Sequence, residues 1–425
     1  MLKILRFVLT FFIMLFGIGC GRLMCLAIFL FSIVSAHSQD LLIAGKVFDA
    51  RSREPLAFAS IGIVGISLGT VTNAKGEFDF FVPREFSSDS IVISHVGYTS
   101  FRQKIASLIG KSTSFGLKPK PVLLQEVVIR EKDLTAKEIV SKAVKLLTLN
   151  YSTKPFCLEG FFREIEQENG KYVLLREAAV DIYDKNFDGR RKNDLQEAVD
   201  VKETRRSLRH DRENNRDNIG IPLTDLIENN DVRYNRGMLD TANNTFTLDT
   251  IVQYHDRRVY GVAMRHRTDS GILYIDTETF GILKISMERK SEDPAKTFYD
   301  ERMLSKDTRR RRNWFRFSVE FELYDGKLYP RRMHESEMNE LYDAATDQLK
   351  ITSIETLEYV ATNIIPGKEN KVAKKLKYGM MIKPGEYHEA FWKNYNTLKL
   401  TPLDEKLIRD LEKDISLQKQ YEHQK

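Results

Sequence analysis

Chemistry in this chain would have to come from its histidines, from a cysteine, or from acids held close together. The eight histidines stand at His37, His95, His210, His255, His266, His334, His388 and His423. No HExxH occurs and no two histidines lie four apart, so the helical zinc-ligand spacing is missing. His255-Asp256, Arg265-His266 and His388-Glu389 place a histidine beside a charged residue near expected strand ends. A cleft gathering His255, His266 or His334 with acids would point to an enzyme. Cys157, between Phe156 and Leu158, reads as a small buried residue, since a thiol nucleophile needs a base close in space. No Gly-x-Ser-x-Gly elbow is present. With 60 acids in the chain, carboxylates close in sequence carry little information. The expectation is therefore no catalytic residue, no metal site and no cofactor.

Two other groups of residues could make a binding surface. Phe315, Phe317, Val319, Phe321 and Leu323 alternate with polar residues and form a candidate apolar ligand face. Arg309, Arg310, Arg311 and Arg312 form the sharpest basic cluster, either a solvated hairpin turn or a contact for an anionic surface such as lipid.

The 425 residues, 42% hydrophobic and 30% charged, suit two or three globular domains. A net charge of +6 with both signs interspersed gives no nucleic-acid footprint. Residues 1–38 carry the address. Lys3 and Arg6 precede two apolar runs separated by Gly21-Arg22, and Ala36-His37-Ser38 offers a small-x-small cleavage site. Leu23–Val34 has the length of a signal core and falls short of the ~20 residues that a membrane span needs. Export to the periplasm or outer membrane is expected, with cleavage or a retained N-terminal anchor as alternatives. If Cys20 and Cys25 leave with the signal, Cys157 remains alone, and neither a disulfide nor a cysteine-based zinc site can form.

Residues 41–118 hold short strands about ten residues apart, punctuated by Gly, Pro and Asn turns, which predicts a sandwich. Four runs in order, Ile43–Asp49, Glu54–Ile61, Gly69–Phe78 and Ile93–Tyr98, resemble the carboxypeptidase-D regulatory-like domain. That family is abundant in exported Bacteroidetes proteins. The resemblance implies a transthyretin-like, seven-stranded β-sandwich with no catalytic activity of its own. The module often precedes outer-membrane receptor barrels. Such a barrel is not expected here, because helical and strongly charged segments fill the later sequence.

Residues 119–132 read as a linker and strand, opened by Lys118-Pro119-Lys120-Pro121. Residues 133–425 read as a larger α+β domain with a curved antiparallel sheet and covering helices. Thr135 and Glu138 form a capping box ahead of an apolar stripe at Ile139, Ala143, Leu146 and Leu147. Asp325-Gly326 is a strong type I′ turn signal between two strands. Thr401 and Pro402 are placed to start a C-terminal helix striped by Leu403, Leu407, Leu411 and Ile415. Residues 185–219, rich in charge and poor in apolar anchors, read as an exposed insertion.

The stretches Gly271–Ile285 and Phe321–Pro330 resemble hairpins of LolA/LolB-type periplasmic lipoprotein carriers. Phe391–Asn396 and the helix after it are similar to the ends of exported Bacteroidetes proteins that pair these two domains. The function expected first is a non-enzymatic envelope protein, structural or binding, meeting an envelope protein or a lipid and no nucleic acid. A periplasmic lipid or lipoprotein carrier and an envelope hydrolase are the alternatives.

Overall fold

The computed structural model describes residues 40–122, 134–185, 197–208, 221–230, 232, 236–290, 308–369, 373–377, 382–399 and 404–423. The expected signal segment, most of the linker and the Thr401-Pro402 cap lie outside the described residues.

Period-two alternation builds the first module. In β4 (Glu77–Val82) Phe78, Phe80 and Val82 are buried and their neighbours are not, as successive side chains must point to opposite faces. With β1 (Leu41–Asp49) and β7 (Ser112–Leu117) it forms a three-stranded sheet, in which β1 and β7 are parallel. The other sheet is β3 (Gly69–Val71), β2 (Ser60–Ile63), β5 (Ser90–Ser94) and β6 (Phe101–Lys104), in that order. Ile43, Ile61, Phe78, Phe80, Ile91, Ile93 and Phe115 fill the space between them. Seven strands in two sheets agree with the expected sandwich.

The second module is one sheet of twelve strands. From one edge the order is β19 (Lys374–Lys375), β11 (Ala198–Arg206), β10 (Lys171–Asp184), β9 (Phe156–Glu168), β18 (Leu349–Pro366) and β17 (Lys327–Asp343). It continues through β16 (Thr308–Tyr324), β15 (Ile282–Lys290), β14 (Asp269–Asp276), β13 (Arg257–His266) and β12 (Thr245–Tyr254) to β8 (Pro121–Val122). Every pairing in it is antiparallel. Here the expectation of a curved sheet fails. The layer is open, with its edges at β19 and β8, and no sheet of the structure is curved. Alternation tells which face is buried, and a flat layer under helices buries that face as well as a curled one does. Of the stretch expected as an exposed insertion, Ala198–Arg206 is strand β11 within the sheet.

Helices cover the inner face of this sheet. α1 (Ala136–Lys145) starts at the expected capping box: Glu138 N donates to Thr135 Oγ1 at 3.3 Å, and Thr135 N donates to Glu138 Oε2 at 2.8 Å. Its Ile139, Val140 and Ala143, with α2 (Leu147–Asn150) and α3 (Leu223–Asn230), close a core with Phe162, Val262, Leu273, Ile285, Val319 and Tyr359. Gly160 is required there, because a Cβ would come within 2.5 Å of Tyr359 Oη. The turn between β16 and β17 is left-handed at both Asp325 (φ 47°) and Gly326 (φ 72°), as a type I′ turn demands.

The opposite, outer face is covered too. The sandwich sits over β16–β18, and α4 (Glu389–Trp392), α5 (Asp404–Leu411) and α6 (Leu417–Glu422) lie over β9–β11.

Candidate functional site: an ionic seam and an amphipathic cavity

The polar residues that alternate with the core positions do not all meet water. Across five neighbouring strands His334, Glu358, Arg163, Glu177 and Arg205 stand directly opposite one another. Arg163 Nε donates to Glu177 Oε1 at 2.8 Å and Arg205 Nε to Glu177 Oε2 at 2.6 Å. Arg332 Nε reaches Glu358 Oε1 at 2.6 Å from the next row, where Lys284, Glu320 and Arg332 line up. Glu177 is wholly buried, and Arg163, Glu320, Arg331, Arg332 and Glu358 are nearly so. Buried charges persist only when paired and hydrogen-bonded. Burial raises the Glu320 carboxyl, but Lys284 and Arg332 outweigh it and hold the group down at about 2.

A β-bulge sets the junction with the sandwich. Glu320 pairs with Arg332 and Phe321 with Pro330, which leaves Arg331 as the extra residue. Consecutive strand residues normally point to opposite faces; here both guanidiniums reach the seam. Arg331 bonds Glu322 Oε2 at 2.5 Å, Ala361 O at 2.6 Å and the sandwich carbonyl of Ser67 at 2.8 Å. The Arg332 guanidinium lies 3.8 Å from the ring centroid of Phe58, whose backbone is left-handed at φ 60°. For an aromatic residue that conformation is costly.

Further bonds cross the seam. Gly97 N donates to Gln253 O at 2.7 Å, Ser67 Oγ to Asn363 Oδ1 at 2.6 Å, and Arg102 pairs with Asp256 at 2.6 Å. The C-terminal segment ties both modules together. Asn396 exchanges two bonds with the backbone of Phe81, Lys399 pairs with Asp79 at 3.0 Å, and Trp392 packs with Phe161, Val360 and Val71.

The histidines expected to mark an enzymatic cleft divide. His255 and His334 do gather with acids, joined by His95, but beneath the docked sandwich. His255 Nδ1 is 2.9 Å from Ser94 Oγ, and His334 Nδ1 is buried without a hydrogen-bond partner among the described residues. His266 stands elsewhere, with Nδ1 2.9 Å from Asn243 O, and His388 Nδ1 meets Glu203 Oε1 at 2.7 Å. Cys157 is buried, and burial, reinforced by Asp181, pushes its thiol up to about 12, opposite to what a nucleophile needs. Among the described residues no group of three or more His, Cys, Asp and Glu side chains is placed to hold a metal ion.

The expected apolar face is split by the structure. Phe315, Phe317, Val319 and Phe321 all belong to the buried core. Leu323, beside the turn, is exposed. Phe315 and Phe317 border a cavity of about 450 Å³ at one end of the inner face, with Met238, Met264 and Met287 beside them. Gly271 permits this, since a Cβ there would collide with the Met287 thioether on the neighbouring strand. Asp240, Asn243, His266, Glu288 and the doubly bonded pair Arg289–Asp269 line it as well, so much of its wall is polar. The methionines carried no signal in the sequence, because they lie on three separate segments.

Arg309–Arg312 lie within β16 and not in a turn, so successive guanidiniums go to opposite faces. Arg310 and Arg312 pair with Glu337, Arg311 with Glu340 and Arg309 with Asp347. Arg309 and its partner are the most exposed of these.

Residues 43–129 match the model of the CarboxypepD_reg-like domain. The N-terminal module is thus similar to a domain of regulatory, non-catalytic type. No curated protein matches the chain. Among solved structures, a DUF1329 family protein from Desulfovibrio piger is 9% identical, with a TM-score of 0.25, covering 56% of this chain and 96% of its own. A lipovitellin structure, titled for its lipid–protein interactions, is 8% identical, with a TM-score of 0.24, over 56% of this chain and 28% of its own. A 9R-lipoxygenase from Cyanothece is 12% identical, with a TM-score of 0.17, over 75% of this chain and 42% of its own. None of these likenesses bears on the LolA/LolB-like hairpins or on the source of the chain. Among the described residues no helix is long and apolar enough to cross a membrane.

Proposed function

We propose that this chain is a non-enzymatic binding protein of the cell envelope. In this reading the sandwich is an accessory module and the large sheet a platform that holds an amphipathic group in the cavity, its apolar part beside Phe315 and Phe317. The cavity carries the reading: at about 450 Å³ it falls within the ~300–1,000 Å³ of small-molecule sites, and flexible thioethers let its wall adapt. The N-terminal apolar runs supply the address, with the periplasm or the outer-membrane surface as the destination. Peripheral contact with an anionic surface would fall to Arg309, whose ion pair with Asp347 is long, at 3.5 Å, and open to water.

Native mass spectrometry of protein purified gently from a cell envelope tests this. The expected result is a bound amphipathic species that is lost in Phe317→Arg while the far-ultraviolet dichroism stays unchanged. A clean apo mass, or a species retained by Phe317→Arg, would refute the cavity as the binding site.

A further inference from the structure

The seam between the modules holds three histidines from three elements, and the charge of one carboxylate, Glu320, acts on all three. His95 follows β5 of the sandwich. Its Nδ1 lies 3.1 Å from Val96 O, its ring meets Tyr98 edge-on at 5.2 Å, and Lys284 faces it beside Glu320. His255, in the left-handed turn between β12 and β13, lies against Ser94 Oγ and the Tyr254 ring, with Glu320, Glu322, Arg331 and Asp256 around it. His334 on β17 lies under Phe58, 6.4 Å between ring centroids, and faces Arg332, Glu358 and Glu320.

The charges around them already cancel. Glu320, Glu322, Glu358 and Asp256 stand against Lys284, Arg331, Arg332 and Arg102, paired as Lys284–Glu320, Arg331–Glu322, Arg332–Glu358 and Arg102–Asp256. A neutral imidazole fits this balance and an imidazolium adds a positive charge with no acid left to receive it.

We propose that the seam is an acid-sensitive latch: protonation of His95, His255 and His334 loosens the sandwich from the outer face of the large sheet. Burial lowers all three imidazoles below the ordinary histidine value, His334 to about 4, with Arg332 adding to burial there. Linkage gives the sign. The docked state favours the neutral forms, so docking is strongest above about pH 6.5 and weakens as pH falls from there toward the docked values. The seam carboxylates do not compete in that window, because neighbouring cations and hydrogen bonds hold Glu320, Glu358 and Asp256 low. Glu355 is raised by burial and by Glu164, Glu337, Glu166 and Glu335, but it lies in register with Glu337 on the inner face.

The test uses the full chain between about pH 7.5 and pH 4.5, spanning the histidine range. Hydrogen exchange over residues 91–99, corrected for its intrinsic pH dependence, reports the bond from Gly97 to Gln253, and far-ultraviolet dichroism reports the folds themselves. The expected result is a reversible rise in exchange of about tenfold on acidification with unchanged dichroism. In H95Q/H255Q/H334Q the midpoint should move at least about one pH unit lower. An unchanged midpoint in that variant, or no rise before global unfolding, overturns the proposal. Should the variant fail to dock at neutral pH, imidazole titration of the parent chain by NMR decides. Titration of the three rings together with the rise in exchange supports the latch. Ordinary titration near about pH 6.5 with the seam closed overturns it.

Discussion

The two faces of the large sheet are built from the same strands and held by different physics. On the inner face Phe162, Val262, Leu273 and Ile285 lose contact with water against α1–α3, a non-directional gain that scales with buried area. On the outer face Arg163, Glu177, Arg205, Arg332 and Glu358 lose water as well, and remain charged because each finds its partner within hydrogen-bond reach. The apolar part of the inner face tolerates small adjustments and is indifferent to pH; the acids at its far end, where burial and neighbouring glutamates raise Glu355, are not part of that core. A buried ionic face tolerates neither a missing partner nor an added proton. The core therefore supplies the stability of the module, while the seam makes the attachment of the sandwich conditional.

Removing the centre of the ladder should have the largest effect. Glu177→Leu strands Arg163 and Arg205 without their carboxylate and should cost about 3–5 kcal/mol by urea unfolding, since breaking one side of a buried pair leaves an unpaired charge. A loss under about 1 kcal/mol would mean that solvent already reaches this part of the outer face. On the inner face, Ile285→Ala should cost about 2–5 kcal/mol through lost burial and the cavity left behind. That loss should be the same at low and high salt, and a marked salt dependence would erase the contrast between the faces. The smallest effect is expected at the start of α1, where Thr135→Ala removes the cap and should cost about 1 kcal/mol. Retention of full stability there would show that packing of Ile139 and Ala143, and not the cap, fixes where the helix begins.

The cavity lets both faces be read in one experiment. It lies at the end of the inner face, on the side of the sheet opposite the seam, so a ligand there should leave the seam untouched. Loss of the bound species in Phe317→Arg with unchanged exchange over residues 91–99 would show that the two faces act independently.

Local patterns were legible in the sequence wherever a feature rests on neighbours along the chain. Phe78, Phe80 and Val82 alternate as a strand must, Thr135 and Glu138 sit at the spacing of a capping box, and Asp325-Gly326 supplies the two left-handed residues of a type I′ turn. Strand Ala198–Arg206 was not legible, because its polar residues face the C-terminal segment instead of water. Glu203 accepts from His388 N, and Arg205 lies 4.4 Å from the Trp392 ring. The cavity escaped for a similar reason, with Met238, Met264 and Met287 on segments that only the fold unites.

The amino-acid order alone was enough for a sandwich of short strands, for the mainly β character of the larger module and for the sidedness of its strands, because periodicity and turn chemistry are short-range properties of the chain; the count of seven came from the family resemblance. The folded chain had to decide that the large sheet stays open and uncurved, that Arg310–Arg312 spend their charge on acids of the next strand, and that three distant histidines come under the charge of one carboxylate. Those outcomes depend on register between strands tens to hundreds of residues apart. A charged residue facing solvent and one facing a docked module are written with the same letter.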